Sequence, residues 1–357
     1  MGNIPYTKQE ISPQTTCVKE KTMSSDNNSA NNSSPHLDTT FANLLMAASA
    51  EAYTDFANTN NPTYQVPDLT VDNITFKFVQ RFTGFDDVAW GSGKEERYAL
   101  LYQAANQANT YIVAFRGTSS VWDAIIDLES ATTTPFKPYK NSATFPGNVH
   151  VGEGFNDVYA TKSNQMNASL QTQIFTALQD LPDTPTEIFI TGHSLGGALA
   201  SLFTLDLAVS YPDIGITSIT FASPKVGAHV WQSTYNQAYK LLTKTIRVCN
   251  SYDWVPRLPP IDFYAIGQEF TASFTVAKPH FEVQDVVLAR HALTNYTWVI
   301  SRAVNATPQV WTGTFVDQEK LSWDMVSVNP DTHNELDIDQ ELAHFFPRNK
   351  NDKAASA

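Results

Sequence analysis

The sequence predicts an α/β fold in which a mostly parallel central sheet carries helices on both faces. In the second half of the chain, β-rich runs alternate with helical patterns. The predicted strands lie at 186–191, 216–222 and 245–249, and the predicted helices at 195–210 and 231–242. Parallel strands need a crossover connection, so this alternation is typical of a parallel sheet. Upstream, β-rich runs at 97–104 and 110–115 flank a turn-like segment, which predicts a hairpin.

Charge and cysteine content exclude several classes of function. The 357 residues carry 23 basic and 36 acidic side chains, a formal net charge of −13. This balance argues against nucleic-acid binding and against strongly anionic membrane surfaces. Two cysteines, Cys17 and Cys249, are too few for a disulfide scaffold or a cysteine-ligated zinc site. The sequence shows no cluster of metal ligands, and we expect no metal and no other cofactor.

The chain divides into three segments by composition. Residues 1–37 are polar and rich in serine and asparagine, and we expect them to be disordered because they can bury little apolar surface. Residues 38–303 hold the α/β pattern, which begins with a helix that Asp38 can cap. Residues 304–357 turn polar and irregular and form a C-terminal extension.

Two features of the sequence bear on location. No apolar run reaches the length of about 18 residues that a membrane-spanning helix needs, so we expect no transmembrane segment. The first residues also lack an apolar stretch of signal-peptide length. Together these features predict a cytoplasmic protein, or one exported by a signal-independent route.

The most informative motif is Gly192-His193-Ser194-Leu195-Gly196, a G-x-S-x-G pattern between a β-rich run and an apolar helix. This context predicts a nucleophile elbow, the sharp strand-to-helix turn of the α/β-hydrolase fold. Side chains at Gly192 or Gly196 would collide in such a turn. Ser194 would lie at a helix N-terminus, where free N–H groups favour a developing anion. Ser194 is therefore the expected nucleophile, while His193 is expected to pack, because neighbours at a tight turn project in different directions.

Five blocks of sequence, in order, carry a family resemblance. They are 113–118 (VAFRGT), 149–155 (VHVGEGF), the elbow, 221–227 (FASPKVG) and 250–256 (NSYDWVP). With these blocks, residues 38–303 resemble the class 3 lipases, the family of filamentous-fungal triacylglycerol lipases and their bacterial and plant relatives. The resemblance implies an α/β-hydrolase fold, a Ser-Asp-His triad and a short lid helix.

Asp253 is the expected acid of the triad. Hydrolase-fold triads follow the order Ser, acid, His along the chain. Asp253 comes just after the predicted strand 245–249, at the carboxyl end of the sheet, where such sites assemble. Asp213 and Asp262 are alternatives, but neither directly follows a core strand.

His291 is the expected base. It begins the segment HALTNY, similar to the family's histidine followed five residues later by tyrosine. His280 and His333 remain as alternatives, and His344 belongs to the tail. Asp253 and His291 stand closer together along the chain than in the fungal enzymes.

The resemblance also implies an oxyanion hole and a lid. The backbone N–H groups of Thr118 and Leu195 would stabilise the tetrahedral intermediate. Read as a helix, 119–128 has an apolar face of Val121, Trp122, Ile125 and Ile126 and a polar face of Ser120, Asp123 and Asp127. At the lid position of the family, the apolar face would cover the serine and swing outward at a lipid surface. The alternative is an ordinary amphipathic surface helix.

These residues predict a serine carboxylester hydrolase that cleaves acylglycerol esters at a lipid–water interface. Its partners would be a lipid or ester substrate and, transiently through the lid, the lipid surface. A phospholipase A1 or an aryl or feruloyl esterase of the same family is the first alternative. A catalytically silent hydrolase fold used as a binding module is the second.

Overall fold

The computed structural model describes residues 35–86, 94–118, 120–129, 131–140, 143–277, 283–302, 312–318, 323–328 and 335–345. The strands are β1 (Leu69–Val71), β2 (Ile74–Asp86), β3 (Lys94–Ala104), β4 (Thr110–Phe115), β5 (Thr133–Pro135), β6 (His150–Gly152), β7 (Glu187–His193), β8 (Gly215–Phe221), β9 (Thr245–Asn250), β10 (Gln268–Ala272), β11 (Phe274–Val276), β12 (Gly313–Val316) and β13 (Asp324–Ser327). The helices are α1 (Thr39–Ala57), α2 (Val121–Glu129), α3 (Glu153–Ala160), α4 (Leu170–Asp180), α5 (Leu195–Ser210), α6 (His229–Ser233), α7 (Val283–His291), α8 (Leu293–Ile300) and α9 (Glu335–Phe345).

The predicted α/β architecture is confirmed. Eight strands form the central sheet in the order β1-β2-β3-β4-β7-β8-β9-β10. The first four pair antiparallel, including the predicted β3–β4 hairpin, and β4, β7, β8, β9 and β10 pair in parallel. Apolar side chains from the two faces of the sheet form separate core clusters, as expected when helices cover both sides.

The register of the parallel strands brings the functional segments to one edge. Phe115, the last residue of β4, pairs with Gly192 near the end of β7. His193, in turn, pairs with Phe221 at the end of β8. Because the carboxyl ends of parallel strands meet at the same edge, the segments that follow β4, β7 and β9 converge there.

Helix α1 begins where the sequence indicates. The carboxylate of Asp38 accepts a hydrogen bond from the Phe41 amide at 3.0 Å, which satisfies a free N–H group of the first turn. The face of α1 that includes Leu44, Leu45 and Ala48 is fully buried. Leu37, which composition places in the N-terminal polar segment, is only 1% exposed and joins this core; residues 1–34 of that segment lie outside the described residues.

The end of the chain contains more regular structure than its polar composition predicts. Strands β12 and β13 pair antiparallel, and β13 also pairs with β11. Phe315 and Met325 pack into the core cluster that contains α1. Phe274 of β11 belongs to the same cluster, so each strand of this small sheet contributes a buried apolar residue to the core. Within the described residues, no helix combines the length and apolar character needed to cross a bilayer.

Candidate active site

Ser194 occupies a strained turn between β7 and α5. Its backbone has φ 57° and ψ −129°, in a region that L-residues rarely adopt. The turn is fixed by the Ser194 amide, which donates to the Phe221 carbonyl at 3.0 Å, and by its carbonyl, which accepts from the Gly197 amide at 2.8 Å. Ser194 is 4% exposed and lines a cavity at the carboxyl edge of the sheet. The strand, the sharp turn and the helix have the form of a nucleophile elbow.

Gly192 and Gly196 are glycines because a Cβ atom at either position would collide with the backbone, and neither has an unusual φ angle. A Cβ atom on Gly192 would lie 2.1 Å from the Gly196 carbonyl oxygen, and one on Gly196 would lie 2.4 Å from the Phe115 carbonyl oxygen. Among the described glycines, only Gly267 has a left-handed φ. Close approach of backbone to backbone therefore explains both positions.

We expect Gly192→Ala to lower the free energy of unfolding by about 3 kcal/mol or more, because a rigid backbone carbonyl would have to move. Gly147 is a matched control, since a Cβ there would meet nothing within 4 Å. Gly147→Ala should change stability by about 0.5 kcal/mol or less. Urea unfolding of both variants measures the difference, and equal stabilities would contradict the steric argument.

Asp253 lies in the loop after β9, is 1% exposed and accepts three hydrogen bonds. Its Oδ2 is 2.8 Å from His291 Nδ1 and accepts from the Tyr296 hydroxyl at 2.9 Å. Its Oδ1 accepts from the Val255 amide at 3.0 Å. The donors come from two helices and its own loop, so the carboxylate has one defined orientation.

His291, the last residue of α7, is 1% exposed. Its Nε2 is buried and has no hydrogen-bond partner within the described structure, so Ser194 and His291 are not hydrogen-bonded to each other. Catalytic hydrogen bonds are often long in ligand-free enzymes and tighten when substrate binds. With Nδ1 held by Asp253, the free Nε2 is the nitrogen that can take up a proton.

The alternative acids and bases lie elsewhere. Asp213 and Asp262 are both exposed on loops. His344 is exposed on α9, and His280 and His333 lie outside the described residues. Of the described candidates, Asp253 and His291 form the buried pair.

The segment after β4 lies directly beside the elbow. A Cβ on Gly117 would be 3.1 Å from Ser194 Cβ and 2.7 Å from the His193 carbonyl oxygen. Thr118 and Leu195 line the same cavity as Ser194. Helix N-termini present free backbone N–H groups, which suits the amide of Leu195 to a developing oxyanion.

Arg116 holds this segment in place. Its guanidinium is 1% exposed, forms an ion pair with Glu96 and donates to the Gly117 carbonyl at 2.8 Å. It also lies over the rings of Phe56 and Tyr98, at 3.8 and 4.0 Å from their centroids. Arg116 is therefore paired with a carboxylate, and cation–π contacts add to this ion pair.

The cavity at Ser194 has a volume of about 320 Å³ and a largely apolar lining. Among the described residues that line it, Asp123, Asp127 and Glu153 are acidic, and none is a lysine, arginine or histidine. The cavity is therefore suited to an apolar chain, and its charged groups are negative.

Helix α2 lines this cavity with only part of the face expected. Val121 and Ile125 line the cavity, and Ile125 is 1% exposed. The sequence predicts Ile126 on the same face, but its side chain is 41% exposed. Asp123 and Asp127 are predicted on the outer face, but they line the cavity. The ring of Trp122 instead packs against the rings of Trp254 and Phe345, at 6.5 and 5.6 Å between centroids. These contacts rotate the helix relative to the simple amphipathic prediction.

Two site residues were not assigned a role from sequence. Tyr296 bridges the site, because its hydroxyl donates to Asp253 and accepts from the Asn250 amide at 2.7 Å. The side chain of Asn250 donates to the carbonyls of Phe274 and Arg290, which ties β9 to the residue before His291. Tyr296 lies five residues after His291, a spacing visible in the sequence, whereas nothing local indicates the role of Asn250.

Comparison with known proteins finds similarity to lipases and phospholipases. Residues 112–263 match the family described as Lipase (class 3). A chloroplastic phospholipase A(1) from Arabidopsis thaliana is 29% identical over 154 residues, covering 42% of this chain and 34% of its own. A secreted alkaline triacylglycerol lipase from Penicillium cyclopium is 26% identical over 183 residues, covering 48% of this chain and 58% of its own. This chain therefore spans less than two thirds of either relative.

A solved structure supports the fold. The crystal structure of M37 lipase aligns with a TM-score of 0.52 at 15% identity, covering 74% of this chain and 94% of that one.

The predicted location, cytoplasmic or exported without a signal, is wrong, because the related proteins are secreted or chloroplastic. The matched segment, residues 112–263, contains the elbow, the segment after β4 and Asp253, and this part of the chain is similar to the class 3 lipase family.

Proposed function

We propose that this protein is a serine carboxylester hydrolase that cleaves acylglycerol esters at a lipid–water interface. The observation that carries the proposal is the buried Asp253–His291 pair beside a serine at a strained elbow. Burial of all three side chains at one edge of the sheet is typical of a catalytic triad, whereas a structural serine has no need of a strained turn.

In the proposed mechanism, Ser194 Oγ attacks the ester carbonyl carbon while His291 Nε2 takes its proton. Asp253 holds the imidazole in one tautomer and stabilises the imidazolium. The amides of Thr118 and Leu195 donate to the oxyanion of the tetrahedral intermediate. The imidazolium then protonates the leaving alkoxide. In the second half of the reaction, His291 takes a proton from the water that attacks the acyl-enzyme and returns it to Ser194 Oγ as the fatty acid leaves.

The lining of the cavity favours a neutral substrate. Its apolar walls suit an acyl chain, and its three carboxylates would repel the phosphate of an anionic phospholipid.

For the lid, we propose that α2 moves away from Ser194 at a lipid surface. The exposed side chain of Ile126 on α2 would be among the first groups to contact lipid.

We expect the protein to release fatty acid from a triolein emulsion at least about tenfold faster than from vesicles of dioleoylphosphatidylglycerol at low salt, because the carboxylates repel an anionic headgroup. A pH-stat measures both rates, with Ser194→Ala as the blank and phosphatidylcholine vesicles as an uncharged phospholipid control. Faster release from either phospholipid would favour a phospholipase A1. Failure to hydrolyse any of the three would leave the aryl or feruloyl esterase and the silent binding module, and hydrolysis of a soluble aryl ester would distinguish them.

A further inference from the structure

His193, the residue before the nucleophile, is 3% exposed and has both ring nitrogens hydrogen-bonded. Its Nε2 lies 2.8 Å from the backbone carbonyl oxygen of His291, and its Nδ1 lies 3.0 Å from the Tyr53 hydroxyl. A carbonyl oxygen can only accept a hydrogen bond, so Nε2 must carry the proton. Nδ1 then accepts from Tyr53. A single neutral tautomer of His193 satisfies both contacts.

The two histidines lie in van der Waals proximity. Their ring centroids are 4.7 Å apart. Burial, reinforced by the nearby His291, holds the pKa of His193 well below its usual value. His193 therefore stays neutral when His291 gains a proton, and no second positive charge opposes the imidazolium.

The carbonyl group that accepts the His193 hydrogen bond lies at the end of a helix. His291 ends α7, and carbonyl groups in the last turn of a helix lack partners within that helix. Asp253 fixes the His291 ring at Nδ1, while His193 fixes its backbone. Since His193 adjoins Ser194 in sequence, this bond links the base directly to the elbow.

Tyr53 connects His193 to helix α1. It lies on α1, 140 residues before His193 in sequence. A Cβ on Gly117 would lie 2.1 Å from the Tyr53 hydroxyl oxygen, so that hydroxyl also contacts the segment before Thr118. One side chain thus touches the nucleophile turn and the segment expected to bind the oxyanion.

We propose that His193 is a positioning residue for His291, and that the Tyr53 hydroxyl holds the His193 ring in the orientation on which this positioning depends. The inference rests on the proposed function, because it concerns the placement of the catalytic base. The Nε2–H group of His193 holds the backbone of the base at a fixed distance from Ser194.

Three variants test the role with a soluble ester such as p-nitrophenyl butyrate. His193→Leu removes the donor, and we expect kcat to fall about 10²-fold with KM within about twofold, because misplacing a catalytic group by about 1 Å has that effect. His193→Gln keeps one amide donor and one acceptor and should stay within about fivefold of the wild-type kcat. Tyr53→Phe keeps the aromatic ring of residue 53 but removes the hydrogen bond that orients the His193 ring, and should lower kcat about tenfold.

The control for Tyr53→Phe is Tyr235→Phe, a buried tyrosine whose hydroxyl bonds Thr245 away from the site. It should alter the urea midpoint but not kcat. Nitrogen-15 NMR of labelled histidine should show the Nε2–H tautomer of His193 in the wild type and also in Tyr53→Phe, because the His291 carbonyl still accepts from Nε2. Wild-type kcat in both Tyr53→Phe and His193→Leu, or the Nδ1–H tautomer of His193 in the wild type, would overturn the positioning role. An inactive wild-type protein would instead overturn the proposed function itself.

Discussion

Replacing Ser194 with alanine should lower kcat for ester hydrolysis by about 10⁴- to 10⁶-fold, the range found when a triad nucleophile is removed. The loss should be almost entirely chemical. The bonds that fix the turn use the backbone of Ser194, and its side chain caps no helix. Alanine faces the same φ of 57° as serine, so the backbone strain should not change. We therefore expect the free energy of unfolding to shift by about 1 kcal/mol or less.

Ser201→Ala is the matched control for this substitution. Ser201 lies on the same helix, is 1% exposed and donates to the Gly197 carbonyl at 2.8 Å. Its removal should leave kcat unchanged. A fluorophosphonate probe should label the wild type and Ser201→Ala equally and Ser194→Ala not at all. Labelling of Ser194→Ala at the wild-type rate would show that another residue is the nucleophile.

The parts of the site that depend on local pattern could be predicted from the sequence. Gly192 and Gly196 flank Ser194 at fixed spacing, and a strand and an apolar helix surround them, so the elbow is encoded within about twenty residues. Asp253 could be predicted because it follows a core strand, and parallel strands bring their carboxyl ends together. The structure places these residues at one sheet edge, through the β4–β7–β8–β9 register.

The parts that depend on distant contacts could not be predicted. The orientation of α2 follows from Trp122 packing against Trp254 and Phe345, residues far along the chain. A hydrophobic period describes one helix alone and carries no information about such partners. The bond between Tyr53 and His193 spans 140 residues and uses two polar side chains, for which no periodicity exists.

Asp253→Asn should lower kcat about 10⁴-fold with little change in KM, and the surrounding hydrogen bonds explain why. If the asparagine carbonyl keeps the bond from the Val255 amide, its NH₂ group faces His291 Nδ1 and the Tyr296 hydroxyl. His291 must then present a lone pair at Nδ1 and carry its proton on Nε2, where it can no longer accept the proton of Ser194.

The opposite amide orientation would set the asparagine NH₂ group against the Val255 N–H group, leaving a buried donor without a partner at a cost of about 1–3 kcal/mol. The first orientation should therefore prevail, and the enzyme should fold with the wrong tautomer of its base. Asp213→Asn and Asp262→Asn are matched controls, since both carboxylates are exposed on loops, and each should retain kcat within about twofold. Steady-state rates on one soluble ester compare all three. If Asp253→Asn kept more than about a tenth of the wild-type kcat while a control variant lost activity, the acid would have to be reassigned, because an Asp253 carboxylate that is not needed cannot be orienting the base.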